Sequence, residues 1–232
     1  MPIIIIPPYR PAQGGGGGGT DPNFANVKSL LHFDSTNGST TFADVKGGNT
    51  WSIQSGSPTI STTQSKFGGS SLRIPDTGRN IISCTNASLV AGSNDVTLEF
   101  WVYLNAISSY QYFTDSSDAT TFITASSGGD VQLYANGGWR SLGCTAISAT
   151  SWTHIAYVRS SGVWSGFVNG VKGSSTYSYS GQITASNKLC IGAQPVGGAN
   201  GMNGYMDDFR LTIGTARYSA NFTPSASAFP DS

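Results

Sequence analysis

Along most of the chain, apolar and polar residues alternate with a period of two, the spacing of strands whose successive side chains point to opposite faces. In Thr97–Leu104 (TLEFWVYL), Leu98, Phe100, Val102 and Leu104 fall on one face, and Thr97, Glu99, Trp101 and Tyr103 on the other. Trp152–Arg159 (WTHIAYVR) alternates too, but carries apolar or aromatic residues on both faces. That pattern predicts a central strand covered from two sides. Trp164–Val168 and Val171–Ser174 flank Asn169-Gly170, a pair suited to the type I′ hairpin turn because both positions need positive φ. Val131–Ala135 runs into Asn136-Gly137-Gly138, and Trp139-Arg140 begin the return strand. Tyr205–Thr212 (YMDDFRLT) predicts a further strand. No stretch sustains the 3.6-residue helical period. Short antiparallel strands joined by turns rich in Gly, Asn and Ser predict an all-β chain, folded as a two-sheet antiparallel β-sandwich or jelly roll.

Ahead of these strands the pattern changes. Residues 1–12 are apolar and proline-rich, residues 13–20 form a glycine linker, and residues 21–232 read as one domain. The run Gly14–Gly19 ends in Thr20, Asp21 and Pro22, without the Gly-Lys-Ser/Thr of a phosphate-binding loop. It acts instead as a flexible tether reaching on the order of 15 Å. Ile3, Ile4, Ile5 and Ile6 are strongly β-forming, and Pro7 and Pro8 follow them. This extended N-terminal tail is suited to adding a strand to a neighbouring protein's sheet edge, with the prolines continuing as polyproline II. Left exposed, four isoleucines are an aggregation hazard, which favours docking over a disordered end. The same run is too short for a signal-peptide core and no basic residue precedes it, so synthesis in the cytoplasm is expected, with the protein kept there or released by lysis.

Composition narrows the function classes. Hydrophobic residues make up 38% of the 232, enough for a packed core, but charged residues only 10%, against ~25% in ordinary soluble domains. With a formal net charge of zero there is no basic footprint for nucleic acid and no cationic patch for anionic lipid. No apolar run approaches the ~20 residues of a membrane-spanning helix. Cys84, Cys144 and Cys190 are odd in number and widely spaced, as buried thiols rather than a disulfide or metal framework would be. The two histidines, His32 and His154, read as hydrogen-bonded residues in or beside the core.

The order of motifs is distinctive: Ser29–Asp34 (SLLHFD), Lys66–Pro75 (KFGGSSLRIP), Val96–Leu104, Trp152–Val171 and Gly204–Pro230. This succession resembles the laminin G-like domains of the concanavalin A-like lectin/glucanase superfamily, over residues 25–230. The closing segment, with Ala216-Arg217-Tyr218 and Asn221-Phe222-Thr223-Pro224, is similar to versions found in phage tail and virion proteins. The resemblance implies a concanavalin A-like jelly roll of two curved antiparallel sheets, with ligands met by the concave sheet or the rim loops.

Glucanases of that superfamily carry two glutamates on one strand, separated by an aspartate, as nucleophile and acid. Here the single glutamate, Glu99, has Thr97 and Trp101 as same-face neighbours. Neither is a carboxylate, so the paired-carboxylate arrangement that glycoside hydrolysis needs is absent from this strand, which leaves only an enzyme assembled from scattered aspartates across loops. Asp207 and Asp208 are adjacent on a strand, which would send them to opposite faces. The chain is therefore not expected to be an enzyme. No cofactor is required, but Ca²⁺ is a candidate, since many relatives implied by the resemblance hold it at the rim through aspartates. Asp115 and Asp118, in the oxygen-rich stretch Thr114–Thr121, are the local metal candidates. Asp34 with Asp207 or Asp208 would serve only if the fold joins them.

Aromatic residues reach 11%, several on strand faces opposite an aliphatic face. Tyr134 and Trp139, beside Asn136 and Arg140, form the candidate ligand site, because polar groups next to a ring match sugar hydroxyls. The expected role is a phage virion surface protein, fibre or decoration module. Its tail would hold other virion proteins, and its domain would adhere to host-surface polysaccharide. A purely structural component packing as a homo-oligomer in a symmetric assembly, without sugar binding, uses the same features, as aromatic faces serve either end. A cellular sugar-binding protein agrees less well with the unpaired cysteines.

Overall fold

The structure, a computed structural model, describes residues 19–75, 78–116, 121–181, 187–194 and 201–232, with the backbone alone at residues 121 and 122. The tail residues Ile3 to Pro8 and the metal candidate Asp118 lie outside the described residues. The strands are β1 (Val27–Leu31), β2 (Ser52–Ser55), β3 (Thr59–Ser61), β4 (Ser71–Ile74), β5 (Ile81–Thr85) and β6 (Val96–Leu104). They continue as β7 (Gln111–Ser116), β8 (Thr121–Ala125), β9 (Val131–Ala135), β10 (Gly138–Ser141) and β11 (Trp152–Ser160). The last are β12 (Val163–Val168), β13 (Val171–Lys172), β14 (Tyr177–Ser178), β15 (Lys188–Ile191) and β16 (Gly204–Ile213).

They form two antiparallel sheets, as the alternation predicts. One runs β13-β12-β11-β6-β16-β4-β3, with β1 added beside β16 and β14 beside β12; the other runs β10-β9-β8-β7-β15-β5-β2. Between them Phe100 of β6 meets Phe113 of β7 at 5.5 Å and stacks on Phe209 of β16 at 6.4 Å. Tyr157 crosses the core from β11 and donates its hydroxyl to the Val131 carbonyl of β9 at 2.8 Å. Both hairpins signalled by Asn-Gly form, with Asn136 and Gly137 at φ 51° and 70° and Asn169 and Gly170 at 49° and 76°.

A third layer covers the second face of β6 and β11. Residues 214–232 run across it as an irregular strap rather than a strand. Tyr218 and Phe222 stack at 3.6 Å, Phe222 packs on Phe167 at 5.6 Å and on His154 at 5.7 Å, and Phe229 lies 6.3 Å from His154. The Phe222 amide donates to the Gly170 carbonyl at 2.9 Å. A Cβ on Gly170 would sit 1.9 Å from the Phe222 carbonyl oxygen, so the hairpin requires glycine there both for its positive φ and for this approach. Asp21 donates its amide to the Ser232 carbonyl at 2.7 Å, so the chain enters the sandwich where the strap ends. Trp101 is buried beside this layer, with His154 at 5.2 Å, Phe67 at 5.9 Å and the Lys66 ammonium 4.0 Å over its ring.

Alternation fails at Asp207 and Asp208. A bulge shifts the register between Asp207 and Arg210, and Asp208 takes φ 52°. Both carboxylates consequently turn to the strap side instead of to opposite faces. Asp207 accepts the Lys66 and Phe67 amides at 2.7 and 3.1 Å, whereas Asp208 accepts from His32 at 2.6 Å and from the Phe229 amide at 2.8 Å.

Candidate functional site

The β9–β10 hairpin carries the predicted ligand residues, and its register divides them. Trp139 pairs with Tyr134, and their rings meet edge to face at 5.3 Å on the outer side of the seven-stranded sheet. Leu133, on the opposite side of β9, is in the core. Tyr110 and Tyr112, from the segment entering β7, join the same patch with centroids 5.7 and 6.2 Å from Trp139. Trp139 keeps 37% of its surface in solvent and Tyr110 38%, so two rings of this cluster stay available. A polar row adjoins the rings. Asp130 accepts Gln132 Nε2 at 2.8 Å and Ser141 Oγ at 3.0 Å, which fixes both side chains beside Trp139 and Tyr134.

Arg140, one residue on from Trp139, points the other way. Its guanidinium carbon lies 4.6 Å over the Tyr177 ring, and Nη2 is 3.4 Å from the Tyr177 hydroxyl at the edge of the sandwich. Arg140, and Asn136 with it, pull the Tyr177 pKa below its ordinary value. The predicted quartet therefore separates into a sheet-face pair, Tyr134 and Trp139, and an edge pair, Asn136 and Arg140. Residue spacing is the reason, since neighbours in a strand cannot share a face. Tyr110, Tyr112, Gln132 and Ser141 were missed from the sequence. The i, i+2 spacing of the two tyrosines was their one local signal.

Asp115 is not in a rim loop. Pairing of β7 with both β8 and β15 extends the strand to Ser116 and places Asp115 between Phe122 and Cys190, fully buried. Among the described residues no group of three or more His, Cys, Asp and Glu side chains converges on a point that would hold a metal ion.

Glu99 and Asp21 are engaged in the strap layer. Glu99 Oε1 takes Arg210 Nε and Nη2 at 2.9 and 2.8 Å, and Oε2 accepts the Tyr218 hydroxyl at 2.8 Å. Burial alone would raise the Glu99 pKa, but the Arg210 charge, with His154 and Arg217 behind it, holds it down at about 2. Asp21 accepts Arg210 at 3.2 Å and Arg217 at 2.7 Å, tying the start of the domain to β16 and the strap.

His32, buried just after β1, is clasped by Asp208 at 2.6 Å and Asp231 at 2.7 Å. Burial opposes its charge, but the two carboxylates prevail and push the imidazole pKa up to about 9. A raised pKa contributes stability that is complete below the ordinary ~6.5 and lost as pH rises through the folded-state value. Thermal unfolding should therefore show Tm falling between pH 7 and 10, and Asp231→Asn should reduce that fall. An imidazole NMR titration placing His32 at or below its ordinary value would contradict the clasp.

Comparison with known proteins defines the class. Residues 76–214 match the profile of a laminin G-like family described as the concanavalin A-like lectin/glucanases superfamily, and the chain belongs to that family. Among curated proteins none matches the chain in sequence. Solved structures share its architecture. Domain 4 of AbnA, a GH43 extracellular arabinanase from Geobacillus stearothermophilus solved with arabinotriose, superposes with TM-score 0.59 at 17% identity, covering 82% of this chain and 94% of that one. The botulinum neurotoxin serotype D binding domain gives 0.59 at 10% identity, over 83% of this chain and 49% of that one. A Trypanosoma rangeli sialidase mutant with trans-sialidase activity gives 0.58 at 11% identity, over 81% and 31%. At such identities the likeness is one of fold.

Proposed function

We propose that the chain is a non-enzymatic adhesion module of a phage particle, anchored by its N-terminal tail and presenting the outer face of the seven-stranded sheet to host-surface polysaccharide. The observation that carries this reading is the pair of exposed rings, Tyr110 and Trp139, beside the oriented amide of Gln132 and hydroxyl of Ser141. Rings stack on the apolar faces of sugars while fixed polar groups meet their hydroxyls. The domain of like fold solved with arabinotriose supports a saccharide as the ligand class. Binding rather than hydrolysis is favoured because the single glutamate is neutralised by Arg210 beneath the strap. Weak affinity per site is offset by many copies on one particle.

The test uses particles assembled with the full chain, with Trp139→Ala, or with residues 1–13 deleted. The deletion should abolish incorporation of a folded protein. Trp139→Ala should be incorporated normally but cut adsorption to host cells by about tenfold, the loss of roughly 1.4 kcal/mol per site. Normal incorporation without the tail would refute docking. Undiminished adsorption by the Trp139 variant would instead favour the structural reading, in which this face packs against a neighbouring subunit.

A further inference from the structure

Among the described residues, the ring contacts of the strap reach His154 and Phe167 but not one end of the nine-stranded sheet's outer side. There the register aligns Thr59, Arg73, Tyr205, Tyr103 and Trp152 across β3, β4, β16, β6 and β11. Thr59, Arg73, Tyr205 and Tyr103 lie on the outer side, because their chain neighbours Ile60, Leu72, Met206 and Val102 are in the core, although Tyr205 itself keeps only 7% of its surface in solvent. Tyr205 and Tyr103 are 6.1 Å apart, and Tyr103 and Trp152 5.7 Å, so the rings make a continuous strip. At its β3 end the strip opens into a groove of about 440 Å³ lined by Asn37, Thr59, Ser61, Thr63, Arg73 and Tyr205. That volume lies within the ~300–1,000 Å³ of small-molecule sites.

Charge distinguishes this groove from ordinary surface. Charged residues are only 10% of the chain, and its arginines are mostly committed. Arg140 is held by Tyr177, Arg159 by the Gly92, Asn94 and Gly181 carbonyls, Arg210 by Glu99 and Arg217 by Asp21. Arg79 also has a partner. Among the described residues Arg73 is the arginine whose side chain has neither a hydrogen bond nor an ion pair, and it is exposed at the groove. A guanidinium is a planar fork matched to a carboxylate. Around it stand the hydroxyls of Thr59, Ser61 and Thr63 and the amide of Asn37, and beside it an aromatic strip.

We propose that this groove is a second saccharide site, selective for sugars that carry a carboxylate, with Arg73 reading the acid group beside the buried Tyr205, and the half-buried Tyr103 and Trp152 rings supporting the rest of the chain. It lies on the opposite sheet from Trp139 and stands independently of the adhesion face. One copy would then hold two glycan strands facing in opposite directions.

The full chain is titrated with glucuronate, galacturonate and N-acetylneuraminate, and with glucose and galactose as neutral controls, while NMR follows backbone amides and arginine Nε–Hε groups. The acidic sugars should shift Arg73 and the amides of Thr59 to Thr63, with neutral sugars about tenfold weaker. Arg73→Gln should abolish the preference for acid, Arg73→Lys should keep part of it, and about 0.5 M salt should weaken it. Trp139→Ala should leave these shifts intact, which separates a failure here from a failure of the adhesion face. Equal response to neutral sugars, no shift at Arg73 with any acid, or unchanged affinity in Arg73→Gln would each overturn the site. So would concentration-dependent shifts of the same amides without sugar, which would assign the groove to a second copy.

Discussion

Arg210→Met will destabilise the fold by about 3–5 kcal/mol, the cost of leaving a buried carboxylate without its cation. Arg210 contacts Glu99 at 2.8 Å and Asp21 at 3.2 Å, and its guanidinium lies 3.7 Å over the Phe229 ring. Removing it leaves Glu99 with only the longer approaches of His154 at 3.4 Å and Arg217 at 3.8 Å, and the Tyr218 hydroxyl. Replacing Glu99 as well, in Arg210→Met/Glu99→Leu, should recover much of the loss, because no uncompensated charge remains there. Denaturant unfolding of the two variants measures both values. The pH dependence gives a second readout. Glu99, held near 2, contributes stability that is present above the ordinary carboxylate pKa and lost as pH falls toward about 2. In Arg210→Met the acid side of the stability curve should flatten accordingly. A variant within 1 kcal/mol of the parent, with the same acid limb, would show that the ion pair has no part in holding the strap layer.

A chain ending at Gly214 should not form a stable sandwich, although it retains every residue of the family match. The strap supplies Tyr218, Phe222 and Phe229 to the cover over Phe167 and His154. Burying the Phe229 ring is worth about 1.5–3 kcal/mol, and the half-buried Tyr218 and Phe222 rings add smaller amounts. Removing the segment also strips Arg217 from Asp21 and Tyr218 from Glu99. The total is comparable with the whole stability of a domain, about 5–15 kcal/mol. The expected product is aggregated, or compact with non-cooperative melting and exposed apolar surface. Phe229→Ala, which leaves the rest of the strap in place, should fold with Tm lowered by several degrees, and it keeps the prediction testable if the truncated chain is insoluble. Cooperative unfolding of the truncated chain at the parental Tm would mean that the strap is dispensable.

Together these features assign different work to the two outer faces. The nine-stranded sheet spends most of its outer side on the strap, whose aromatic contacts and buried ion pairs close the domain around its entry and exit points. On the seven-stranded sheet Tyr110 and Trp139 keep 38% and 37% of their surface in solvent among the described residues, and that is why the adhesion reading rests there.

Period-two alternation in Val96–Leu104 and Trp152–Arg159, with the Asn-Gly pairs, was enough to determine an all-β sandwich and both hairpins, because strand periodicity and turn stereochemistry are local properties of residues. It also determined that Trp152–Arg159 is covered on both sides. The sequence did not say what covers it, since the strap and β11 are far apart in the chain and meet only through tertiary packing. The bulge at Asp208 was equally invisible, because it depends on how β16 must satisfy β6, β1 and β4 at once. Asp115 read as a loop oxygen only while β15, its partner, was unknown. The candidate site divides on the same line. Local spacing found Tyr134 and Trp139, but Tyr110 and Tyr112 joined them, and Asn136 and Arg140 left for Tyr177, through pairings that no short stretch of sequence encodes. Which rings stay in solvent and which carboxylates are neutralised depends on contacts between distant segments, and only the tertiary structure decided it.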